Sequence, residues 1–160
     1  MNTDIPKPII ILVRTQLPQN IGSTARAMKN CGLSELRLVE PREKWPNDGA
    51  NSMAAGADDI LKNIKVFDNI PSALSDVIHV FSLTARNRDI TKIELGPDYA
   101  AKKIYENSTK SEKSAILFGP EQSGLTNDEI AYSNFLVKVP MVENFSSLNL
   151  SQAVLLLSWE

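Results

Sequence analysis

Residues 114–129 read SAILFGPEQSGLTNDE, and the order of residue types in this stretch decides the fold. The first five residues are apolar with almost no alternation, the pattern of a strand buried on both faces. Gly119 to Gly124 then supplies turn residues. Thr126-Asn127-Asp128-Glu129 has capping-box spacing, so a helix is expected to start there. A doubly buried strand that passes through a short turn into a helix is the building unit of a parallel sheet covered by helices.

The same logic applies on both sides of this stretch. Near-continuous runs of Ile, Val, Leu and Phe occupy 8–13, 77–83 and 135–141, and shorter ones 36–39 and 65–67. Each is expected to be a strand. Helical patterns fall between them. Asn20 is expected to cap a helix that carries Ala25, Arg26 and Met28 and ends at Gly32. Further helices are expected over 51–61, over 97–106 with proline in the first turn, and over 148–159. The last contains AVLLLSW, apolar nearly all round, which implies burial on more than one side. Residues 41–47 and 84–97 read as loops. Together these predict one α/β domain over 1–160, a parallel sheet flanked by helices.

Bulk properties narrow the functional classes. The chain has 160 residues, 42% hydrophobic and 22% charged, with 17 basic against 19 acidic side chains for a net charge of −2. Nucleic-acid binding through bulk charge is therefore excluded, and any RNA contact needs a local basic cluster. Cys31 is the only cysteine, so neither an internal disulfide nor a cysteine-based zinc site is expected. The polar N-terminus lacks signal-peptide character, and no apolar run approaches the ~20 residues of a membrane span. A soluble protein of the reducing cytoplasm is expected. The chain stops at Glu160 inside a helical pattern, which predicts either a following segment or a frayed helix end.

In an open parallel sheet, ligands bind beyond the carboxyl ends of the strands. Residues 119–126 have the glycine spacing of a P-loop, but Leu125 stands where the lysine is required, which excludes a nucleoside triphosphatase of that type. No G-x-G-x-x-G follows a strand, so a dinucleotide site is unsupported. Asp58 and Asp59 lack further ligands at metal spacing and read as helix surface, and no metal is expected. His79 within an apolar run reads as a satisfied core histidine, and Cys31 as core or half-buried. Lys102 and Lys103 read as a solvated helix face, and Trp45 and Trp159 carry no stacking motif. Arg14, Arg26, Arg86 and Arg88 all lie near strand ends and could together bind phosphate.

Three segments together resemble one family. Gln19-Asn20-Ile21-Gly22-Ser23-Thr24-Ala25-Arg26-Ala27-Met28 is similar to the first motif of the SpoU-type RNA methyltransferases of the SPOUT superfamily. Residues 118–125 resemble the second. Val139-Pro140-Met141 with Ser146-Ser147-Leu148-Asn149-Leu150 resembles the third. Within that family the resemblance is closest to bacterial tRNA 2'-O-methyltransferases acting on anticodon-loop cytidine or uridine. Those relatives commonly carry a basic residue where this chain has Pro120, and tend to have a C-terminal extension that is absent here.

The resemblance implies a C-terminal trefoil knot, a homodimer with the site near its interface, and S-adenosyl-L-methionine as cofactor. It places cofactor contacts on Leu83, Thr84, Ala85, Gly119, Val139, Ser146, Ser147 and Leu148. Gly119 and Gly124 are expected to let backbone approach the ligand. Arg26 is the expected catalytic residue, bound to the substrate phosphate and steadying the forming alkoxide, because a pKa above ~12 makes arginine a poor base. Asn20 and Ser147 are expected to assist, Glu121 to order its loop, and Arg14, Arg86 and Arg88 to contact RNA. The alternatives are the same chemistry on ribosomal RNA, a non-catalytic RNA-binding domain, and a purely structural dimerisation domain.

Overall fold

The computed structural model describes residues 5–86 and 90–160. Seven strands form one sheet: β1 (Ile9–Val13), β2 (Leu36–Val39), β3 (Lys65–Phe67), β4 (His79–Leu83), β5 (Ile93–Leu95), β6 (Ser114–Phe118) and β7 (Phe135–Val137). Their order across the sheet is β3-β2-β1-β6-β4-β7-β5, and every neighbouring pair is parallel. The chain builds β1, β2 and β3 outward to one edge, then crosses to lay down β4 and β5 on the other side. β6 afterwards fills the slot between β1 and β4, and β7 the slot between β4 and β5. The carboxyl ends of β6, β4 and β7 thus lie side by side on one edge.

The side-chain period of two sends successive strand residues to opposite faces. Ile10, Leu12, Leu36, Leu38, Phe81, Ile116, Phe118 and Val137 face one layer. That layer contains helices α1 (Pro18–Asn30), α2 (Asp48–Ala54), α3 (Asp58–Lys62), α5 (Pro97–Thr109) and α7 (Leu150–Trp159). Ile9, Ile11, Val13, Val39, Val80, Ala115, Leu117 and Leu136 face the other, thinner layer, built by α4 (Ile70–Ala73), α6 (Asn127–Ile130) and Leu125. Burial on both sides is why β1 and β6 read as unbroken apolar runs.

Several boundaries differ from expectation for physical reasons. Pro18 starts α1, with Leu17 at the cap position offering no side-chain bond, so Asn20 lies inside the first turn and is not the cap. The helix expected over 51–61 is two helices, because Ala55 is left-handed (φ 46) and Gly56 follows at φ 93. The last helix begins at Leu150, capped by Asn149. The expected loop over 84–97 contains β5, a three-residue edge strand with Ile93 exposed, and α4 adds a helix that no periodicity revealed. The capping box at Thr126 and Glu129 forms as read.

His79 sits at the start of β4, half-buried, with Nε2 2.6 Å from a Glu112 carboxylate oxygen. It is satisfied, but at the rim of the core. Cys31 is half-buried. Asp59 lies on the surface, 2.8 Å from Lys29 Nζ. Lys102 and Lys103 are exposed, and the Lys103 ammonium lies over the Phe135 ring. Trp45 packs against the core while Trp159 is exposed. Among the described residues, no helix is long and apolar enough to cross a membrane, and no group of three or more His, Cys, Asp or Glu could hold a metal ion.

Two packing features carry predictions. A Cβ on Gly22 would collide with the Ala50 carbonyl oxygen of α2. Gly22→Ala is therefore expected to force α1 and α2 apart and cost about 2 kcal/mol, read as a lower urea midpoint. On β2, Arg37 is buried and donates to both Asp76 carboxylate oxygens at 2.6 and 2.9 Å. Those bonds, with Lys113 3.1 Å away, hold the Asp76 carboxyl well below its usual range. A depressed carboxyl stabilises the fold above its unfolded pKa of about 3.9, and that stabilisation is lost as pH falls through the folded value. Asp76→Asn should lower stability at pH 7 by about 1 kcal/mol. The gap between the two proteins should narrow below about pH 4, as followed by urea denaturation across pH.

Candidate active site

The adjacency of β4, β6 and β7 brings three loops together at the carboxyl edge. They enclose a cleft of about 260 Å³. Leu83, Thr84 and Ala85 enter it from the end of β4, Gly119 from the turn after β6, and Val139 with Ser146, Ser147 and Leu148 from the segment after β7. All eight residues that the resemblance assigned to cofactor contact therefore line one cleft. Phe118, Leu125, Leu150 and Ala153 also line it, and the last two, three apart on α7, share a helical face. These four were missed. Phe118, Leu125 and Leu150 lie inside the second and third motif segments, and the three-residue spacing from Leu150 was the only signal for Ala153.

The cleft wall has a mixed character. Leu83, Val139, Leu148 and Leu150 supply apolar surface, while the amides of Ser146, Ser147 and Leu148 make no hydrogen bond to other described residues. A flat apolar heterocycle with polar edges would find both surface and donors here. The glycines also have a role within the loop itself. A Cβ on Gly119 would collide with the backbone of Gly124 and Leu125, and Gly124 has φ 68. Their smallness lets the 119–125 turn fold onto itself, closed by the Gly124 amide donating to the Pro120 carbonyl at 3.0 Å, so Gly119 makes room for the loop's own chain.

A second cleft of about 320 Å³ adjoins the first and shares Glu121, Gln122, Ser147, Leu148 and Leu150 with it. Gln16, Leu17, Asn20 and Asn149 complete its lining. Between the clefts, Glu121 accepts hydrogen bonds from the Gln16 amide (2.9 Å), the Leu17 amide (3.4 Å) and Asn20 Nδ2 (2.9 Å). It fixes the two residues that lead into α1 and places a carboxylate at the positive end of the α1 dipole. Glu129 makes a second tie. Its carboxylate closes the α6 capping box and lies 2.6 Å from Arg14 Nη2.

The arginines are dispersed. Arg14, left-handed at φ 53 after β1, is paired with Glu129. Arg86 lines the first cleft and donates to the Ser123 carbonyl across it. Arg88 lies outside the described residues. Arg26 is exposed on α1 and lines neither cleft, and its side chain makes no hydrogen bond or ion pair with described residues. Six residues of helix put it roughly 9 Å along the axis from Asn20. Asn20 and Ser147 thus meet at the second cleft, and Arg26 does not join them within this chain.

The model of the SpoU rRNA Methylase family matches residues 7–159. The chain belongs to that family. It is 42% identical over 151 residues to the tRNA (cytidine/uridine/adenosine-2'-O-)-methyltransferase TrmJ of Pseudomonas aeruginosa, covering 94% of this chain and 58% of that protein. The chain thus spans little more than half the length of this SpoU-family relative. The crystal structure of TrmJ from Z. mobilis ZM4 superposes with a TM-score of 0.90 at 46% identity, covering 96% of this chain and 68% of that one. The SpoU methyltransferase AviRb from Streptomyces viridochromogenes, solved with the cofactor AdoMet, shares the fold (TM-score 0.72, 17% identity, 99% and 62% covered).

If Glu121 assembles the two SpoU motifs as its bonds indicate, Glu121→Ala should lower stability by about 1–2 kcal/mol in urea denaturation. Glu121→Gln, which keeps one acceptor oxygen, should recover part of that loss.

Proposed function

We propose that this chain binds S-adenosylmethionine in the first cleft and transfers its methyl group to a ribose 2'-hydroxyl of RNA. The observation that carries this reading is the convergence of all eight expected contact residues, from three separate loops, on one cleft. The apolar wall suits an adenine ring, and the open amides of Ser146 to Leu148 suit its polar edge and ribose. The bound cofactor supplies an electrophilic sulfonium methyl. The similarity to the TrmJ proteins, whose names specify tRNA, favours an anticodon-loop cytidine or uridine of tRNA as substrate, in the cytoplasm.

The chain's own residues then have distinct tasks. Ser147 lies in the wall common to both clefts, so the second cleft is where the ribose would approach the methyl group. Asn20, fixed by Glu121, lines that cleft and can hold the hydroxyl in line, which is where effective molarity is gained. Arg26 acts on the neighbouring phosphate and steadies the developing alkoxide; as the O–CH3 bond forms the S–CH3 bond breaks, S-adenosylhomocysteine is the product left behind, and the hydroxyl proton passes to that substrate phosphate. It is remote from both clefts of its own chain, so it would act where a second subunit's site is presented to α1. A homodimer across α1 and α7 is consistent with the exposed Leu17, at the cap of α1, and Leu155, Leu156 and Trp159 on α7, which packs against α1. The trefoil knot belongs to this reading too, with β6 and β7 entering slots bounded by earlier strands.

Calorimetric titration of the chain with S-adenosylmethionine should show saturable binding near one site per subunit. A folded protein that binds none would favour the non-catalytic RNA-binding alternative. Arg26→Ala should retain that binding and lose methyl transfer to a tRNA transcript by 100-fold or more, on the order of an oxyanion-stabilising group. An active Arg26→Ala protein would remove the arginine from the mechanism.

A further inference from the structure

Arg86 follows β4 by three residues and stands at the cleft with its base anchored. Its amide donates to Thr84 Oγ1 at 3.3 Å, and Thr84 is buried. Its guanidinium reaches across to the Ser123 carbonyl on the facing loop. Among the described residues lining this cleft, Arg86 is the only cationic side chain and Glu121 the only anionic one. The Glu121 carboxylate is already engaged by the Gln16 and Leu17 amides and Asn20.

From this arrangement we infer that Arg86 is the receptor for the carboxylate of the cofactor's amino-acid moiety. The inference rests on the proposal that the cleft binds S-adenosylmethionine. An adenosine held by the apolar wall leaves the amino-acid tail to find a place at the polar rim, and Glu121 repels its carboxylate from one side. Arg86 offers the complementary charge on the other. A guanidinium binds a carboxylate through paired, charge-assisted bonds roughly twice as strong as neutral ones. The tail therefore displaces the Ser123 carbonyl, a neutral acceptor that holds the side chain in reach meanwhile. Pro120 brings no charge to the rim, which leaves the task to Arg86. This reading moves Arg86 from RNA contact to cofactor recognition.

The test compares two ligands on the full chain by calorimetry: S-adenosylhomocysteine, and 5'-methylthioadenosine, which has the same nucleoside and thioether but no carboxylate. Arg86→Ala should weaken S-adenosylhomocysteine about 10-fold or more, the size of a lost charged hydrogen bond, and leave methylthioadenosine within about twofold. Arg86→Lys should recover part of the loss. Unchanged affinity for S-adenosylhomocysteine overturns the inference while methylthioadenosine binding keeps the cofactor cleft intact. Equal weakening of both ligands also overturns it, since Arg86 would then only shape the loop. A folded wild-type chain that binds neither ligand overturns the cleft assignment itself, and Arg86 with it.

Discussion

β6 hydrogen-bonds along its whole length to strands laid down far earlier in the chain. Its partners run from Ile9 to Leu12 on β1 and from His79 to Ser82 on β4. Its side chains are buried on both faces. Closing this slot joins residues about a hundred positions apart, so its loop entropy has to be offset by apolar burial on two sides at once. Once closed, it fixes the lateral order β1-β6-β4; β7 then pairs on the other side of β4, and with all strands parallel the loops after β6, β4 and β7 emerge together. The cleft is a consequence of that order. Unrelated segments at 83–86, 119–125 and 139–148 become neighbours because the strands ahead of them are.

Burial alone would leave the loops loosely placed, and two carboxylates correct this. Glu121 and Glu129 lie within nine residues of each other after β6, and both reach back to residues 14–20. One stabilises the start of a helix that cannot cap itself. The other holds an arginine whose backbone is in the left-handed region. Glu121 ties the second motif to the first at Asn20, and Glu129 ties the start of α6 to Arg14 after β1, both by charge-assisted bonds that support the site's loops before ligand arrives. Glu121 thereby spends its charge on structure, which also makes it a poor candidate for taking a proton from the substrate.

The legibility of the sequence follows the same division. Strands buried on both faces announce themselves, and β1, β2 and β6 fall where the apolar runs lie. β5 does not, because three residues at a sheet edge with Ile93 in solvent have neither length nor pattern. The break at Ala55 and Gly56 was hidden because a single glycine within a helical pattern can be either tolerated or a terminator. The cleft residues were legible through the strand-end rule and the three motifs together, either of which alone is weak. The roles of Gly119 and Glu121 were only half legible. Motif letters show that a small residue and a carboxylate belong there, but not which backbone or which amide each one meets.

Charge shows why counting residues underdetermines function. Four arginines near strand ends suggested a phosphate patch on a chain of net charge −2. Folding pairs Arg14 with Glu129 and directs Arg86 onto a carbonyl across the first cleft. Arg26 remains exposed and uncommitted, on the helix whose first turn lines the second cleft. A charge already hydrogen-bonded can bind a ligand only by exchange, so its gain is the difference between two partners. An uncommitted exposed guanidinium loses only water, and its full charge is available to a phosphate. On that comparison the lone arginine of α1 is a better electrostatic handle for a phosphate than the paired Arg14.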